Sequence, residues 1–129
     1  MKIKTADLIG PALDWAVGTA LKLPVEVCQI FQYGRPNGKH YISIGETDRD
    51  GAEVDFEPSE EWSQGGPIIE QECMDILCLA GGDDGWQADK YLHTEQVIMF
   101  GPTPLIAALR CFVASRLGDE VNIPEELLK

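Results

Sequence analysis

The sequence predicts an α+β fold, a small antiparallel β-sheet with two main helices packed on one face. Three observations carry that prediction. The stretch from Gly101 to Gly118 is a helix with both ends marked. Gly10-Pro11 opens a second helix in the same way. Between them lie short β-branched runs that alternate in polarity, separated by glycine-rich or charged turns. With 129 residues the chain is long enough for one real core and short for two. The expected organisation is therefore a single domain over 1–129, with 118–129 as a C-terminal tail.

Residues 1–9 read as a short strand or arm, followed by a helical turn capped at Thr5. From Pro11, the residues Leu13, Ala16, Val17, Ala20 and Leu21 fall on one helical stripe, and Pro24 stops it. Trp15 lies across the wheel from Leu13, at about 100° per residue, with Asp14 beside it. Val25 to Gln32 reads as a strand. Asn37-Gly38 is the hairpin signal after it, and His40 to Ile44 is the returning strand. Gly45 to Gly51 is a charged loop, and Ala52 to Phe56 a short edge strand. Ser59 caps a turn carrying Trp62. Gly65-Gly66-Pro67 then forms a tight turn in which Pro67 opens a short helix that seats Ile68 and Ile69. Asp75 to Leu79 and Trp86 to Tyr91 flank a loop over 80–85, and Gln96 to Phe100 is a third strand leading into the last helix. There Thr103 caps, Pro104 takes the first helical position and Gly118 follows the end. Leu105, Ile106, Leu109, Phe112, Val113 and Leu117 make one broad apolar face. In the tail, Val121 and Ile123 are placed against the body.

The formal net charge of −12 argues against nucleic acid or an anionic membrane surface as partner, since both call for clustered Lys and Arg. No signal-like apolar stretch opens the chain and no run is long enough to span a bilayer, so the expected location is the cytoplasm. Cys28, Cys73, Cys78 and Cys111 lack zinc spacing and read as structural thiols. No motif announces a cofactor or a metal, so neither is expected.

Candidate chemistry is sparse. Ser63 sits in no nucleophile elbow. His40 and His93 are placed in exposed positions. Backbone N–H groups at Gly65-Gly66 can hold an anion, but Glu70 and Glu72 oppose a phosphate and no lysine follows. The tryptophans are more suggestive. Trp15, Trp62 and Trp86 each have acidic or amide neighbours, a pattern shared by partner surfaces and by satellite cores beneath a loop. Arg110 lies on the flank of the last helix, and Asp14 is its expected mate.

Three blocks then carry a resemblance. Leu13 to Val17, Trp62 to Glu70, and Gly101 to Ser115 with Leu117 to Val121 resemble the NinX-like family of phage and prophage proteins. The matching positions are Asp14, Trp15, Trp62, Gly65, Gly66, Pro67, Thr103, Pro104 and Arg110. The resemblance implies an accessory phage protein and brings no activity or cofactor with it. The reading that follows is a non-enzymatic binder of a host or phage protein or of a small ligand, at a surface built from Asp14, Trp15, Trp62, Gly65, Gly66, Pro67 and Arg110. The alternatives are a metal-dependent hydrolase and a homo-oligomeric structural or assembly protein.

Overall fold

In the computed structural model, which describes residues 1–80, 82–92 and 95–128, helix α3 (Pro104–Leu117) is the axis on which the rest packs. Its ends are those read from the sequence. Thr103 Oγ1 accepts from the Ile106 N–H at 3.1 Å, and Gly118 leaves the helix at φ 91°. Every residue from Leu105 to Val113 is buried, in place of the single apolar face expected. The reason is that α3 is enclosed by helix α1 (Gly10–Ala20), helix α2 (Trp62–Gln71) and the sheet formed by β4 (Asp75–Cys78), β5 (Trp86–Leu92) and β6 (Glu95–Gly101).

The α+β class holds, but its arrangement differs from the expectation. Among the described residues there are three helices, and the strands form three separate antiparallel sheets. One is the three-stranded β4-β5-β6 sheet. Another is the hairpin of β2 (Glu26–Gln32) and β3 (Arg35–Ser43). The third pairs β1 (Lys2–Lys4) with β7 (Glu120–Asn122), so the expected tail includes a strand, with Val121 and Ile123 buried. The turn of the β2-β3 hairpin is Tyr33-Gly34, both at positive φ, whereas Asn37-Gly38 lies inside β3 beside a register shift. Ala52 to Phe56 forms no strand, only a bridge between Thr47 and Glu53. His93 and Gly81, placed in loops by the sequence, lie outside the described residues. His40 is half-buried rather than exposed.

Helix α2 corrects the reading of the glycine turn. It begins at Trp62, so Gly65, Gly66 and Pro67 are helical residues. Gly65 is where α2 comes closest to its neighbours. A Cβ there would stand 2.5 Å from the Pro58 carbonyl oxygen and 2.6 Å from Leu105 Cδ2. The far end of α2 is tied by Glu72, whose carboxylate meets Lys90 of β5 at 2.8 Å and Arg116 of α3 at 3.1 Å.

Candidate functional site

A cleft of about 550 Å³ lies between the start of α1, the β2-β3 hairpin, the segment 55–60 and the helical turn Glu125–Leu128. Each wall has a local cause. Phe56 N donates to the Ile42 carbonyl at 2.7 Å, which lays the segment along β3. Gln64 of α2 clamps the same segment from behind. Its Oε1 accepts from Glu57 N at 2.7 Å, and its Nε2 donates to the Asp55 carbonyl at 2.9 Å. Asp14 Oδ1 accepts from Ser59 N at 2.9 Å, fastening the segment to α1.

The cleft is acidic. Asp14, Asp55, Glu57, Glu60 and Glu126 line it, against Lys39 and His40. Burial pushes the Asp14 carboxyl up to about 7, and the charges of Glu60 and Glu57 add to the rise. The Ser59 N–H pulls the other way. The Ser59 hydroxyl, buried and without a hydrogen bond of good geometry, acts in the same direction as its N–H. Burial likewise raises Glu57, with Asp55, Glu60 and Glu61 adding to it. The carboxylates repel one another, and a cation placed among them would relieve that repulsion. Among the described residues, no three His, Cys, Asp or Glu side chains converge with metal-binding geometry.

A second, more apolar groove of about 340 Å³ adjoins it, formed by Trp62 and the first turn of α3. Ser59 and Glu60 also line this groove, and Glu60 is common to both. Trp62 is 56 % exposed. Gly66 has no side chain to compete with its ring, whose Cε3 would lie 3.8 Å from a Cβ there.

The sequence-predicted residues therefore separate into groups. Asp14 and Trp62 come together around the turn at 57–60, with Gly65, Gly66 and Pro67 behind Trp62 on α2. Trp15 is half-buried against the core and lines neither cavity. Trp86 is half-buried in the same way. Arg110 does not pair with Asp14. Its Nε donates to the Leu8 carbonyl and its Nη1 to the Phe100 carbonyl, each at 2.8 Å, and Asp84 stands 3.6 Å away. The Gly65 N–H donates to the Glu61 carbonyl inside the helix and so is not offered to an anion, in line with the carboxylates and missing lysine that weighed against a phosphate there. Sequence reasoning missed Asp55, Gln64 and Glu126 as parts of the site. Glu57, Glu60 and Glu61 stand close together in the sequence, but nothing local shows them meeting the far end of the chain.

A family model described as bacteriophage P22, NinX, matches residues 4–116. No curated protein matches the chain. No helix among the described residues is long and apolar enough to cross a membrane.

Proposed function

Since the chain belongs to the family of bacteriophage P22 NinX, we propose that it is an accessory phage protein that binds a host or phage protein through a basic segment of that partner. The observation that carries this reading is the pairing of an acidic cleft with an aromatic groove across one shared residue, Glu60. A Lys or Arg entering the cleft meets carboxylates, and its apolar neighbour in the partner reaches Trp62 and Pro104. Aromatic and arginine anchors of this kind dominate protein interfaces. In this reading Asp14 fixes the turn at 57–60, because one of its oxygens holds the Ser59 N–H.

The test uses substitutions at exposed positions that leave the core intact. The immobilised wild-type chain is exposed to lysate of a bacterial host, alongside Glu60→Lys and Trp62→Ala variants. A protein retained by the wild type and lost by at least tenfold from both variants is the expected result. Equal retention by all three chains overturns the reading.

A further inference from the structure

Two surfaces outside the aromatic groove, the first sharing only Gly38 and Lys39 with the acidic cleft, complement each other. The first is the tip of the β2-β3 hairpin. Among the described residues its strands pair only with one another. Every residue from Phe31 to Lys39 is exposed, with Tyr33 at 95 % and Phe31 at 62 %. A lone two-stranded hairpin is marginal in water, and this one ends in an aromatic ring held at φ 53°. In a chain of net charge −12 the tip is locally basic, since Arg35 and Lys39 are its charges and no acid lies between Phe31 and Lys39.

The second surface is the outer face of the β4-β5-β6 sheet. The inner face packs on α3. Facing outward, Leu77 and Phe100 flank Gln87 in one row, while Asp75, Asp89 and Ile98 form the next. Leu77, Ile98 and Phe100 are all more than 40 % exposed. Asp75 and Asp89 are direct cross-strand partners. Like charges so placed repel, and what Asp89 receives among the described residues is amide contact from Gln87 at 2.9 Å and Gln96 at 3.4 Å, not a cation. The sheet's own lysine, Lys90, is engaged with Glu72 on the other side.

We propose that the hairpin tip of one copy of this chain seats on the outer sheet face of a second copy. Tyr33 and Phe31 cover Leu77, Ile98 and Phe100, and Arg35 enters between Asp75 and Asp89. Packing two sheet faces on each other would instead set one acid pair against another, which favours the hairpin as occupant. The contact is head-to-tail. Each copy offers one tip and one face, so assembly continues beyond two copies unless it closes into a ring. This inference does not depend on the partner reading above.

Sedimentation velocity across a concentration series tests it. The expected result is a wild-type mass that grows with concentration. A chain with a disabled tip, Tyr33→Ser with Arg35→Glu, stays monomeric, as does a chain with a disabled face, Leu77→Ser with Asp75→Lys. An equimolar mixture of the two gives dimers and nothing larger, because one intact tip meets one intact face. All four changes are at exposed positions, and circular dichroism checks the fold. If a double variant loses its spectrum, the single changes Arg35→Glu and Asp75→Lys replace it. A wild type that stays monomeric throughout, variants that assemble as the wild type does, or a mixture that stays monomeric would each overturn the proposal. A variant of one surface that stays monomeric while the variant of the other still dimerises alone would mean a symmetric contact and would also overturn it.

Discussion

Asp14 is 4 % exposed and carries the largest electrostatic cost in the cleft. Its folded pKa of about 7 lies above the ordinary 3.8, so between those values the native chain holds a proton that the unfolded chain has released. Stability therefore falls as pH rises through that window, by up to about 4 kcal/mol for a displacement of this size. Asp14→Asn keeps an acceptor for the Ser59 N–H and removes the charge. Urea midpoints at pH 5 and pH 8 should show the variant gaining on the wild type as pH rises. Parallel behaviour at the two pH values would mean that the carboxyl is well solvated. The sequence singled out Asp14 and placed it beside Trp15 on α1, because helical periodicity is a local property. What covers that face was not legible. The Ser59 N–H comes from 45 residues away, and only the packed chain could replace the expected partner, Arg110.

Elements show the same division between local and distant causes. The limits of α3 were readable because Thr103, Pro104 and Gly118 act within one turn of themselves. Asn37-Gly38 misled because Tyr33-Gly34 can also adopt positive φ, and pairing decides between them. The observed turn sets Val27 opposite Ile42 and Cys28 opposite Tyr41, with Ile42 1 % exposed in the core. A turn at Asn37-Gly38 would shift that register and leave Val27 without a strand partner. For α2 the proline rule pointed to Pro67, yet the helix starts at Trp62, and Gly65 within it lies close against Pro58 and Leu105. Two neighbouring glycines then behave oppositely. Gly65→Ala drives a methyl group into a backbone oxygen and should cost about 1–3 kcal/mol. Gly66→Ala meets only the Trp62 ring and should gain about 0.5–1 kcal/mol from a less flexible unfolded chain. Urea midpoints of the two variants shifted in the same direction would show that α2 does not lie this close to its neighbours.

At the scale of the whole molecule, Arg110 joins parts that are distant in the chain. It is 6 % exposed at the middle of α3. Through the Leu8 carbonyl it holds the segment entering α1, and through the Phe100 carbonyl it holds the end of β6. The Leu8 side is also stitched to the C-terminal strand. Thr5 N donates to the Asp119 carbonyl at 2.8 Å, Thr5 Oγ1 to the Gly118 carbonyl at 2.6 Å, and Ile123 N to the Met1 carbonyl at 2.9 Å. The three sheets share no strands, so this guanidinium does between β1-β7 and β4-β5-β6 what a common strand would do in a single sheet. The ion pair with Asp84 matters less, because that carboxylate is largely exposed and 3.6 Å away. Arg110→Met fills the space but deprives both carbonyls of a donor, and each buried orphan costs about 1–3 kcal/mol. The loss should therefore be about 2–6 kcal/mol, against about 0.5 kcal/mol or less for Asp84→Asn. Hydrogen exchange locates the effect. In Arg110→Met, protection should fall together in β1 and β6, which are far apart in sequence, while Asp84→Asn leaves both protected. Equal losses from the two variants would mean that the surface charge, and not the pair of carbonyls, holds these parts together.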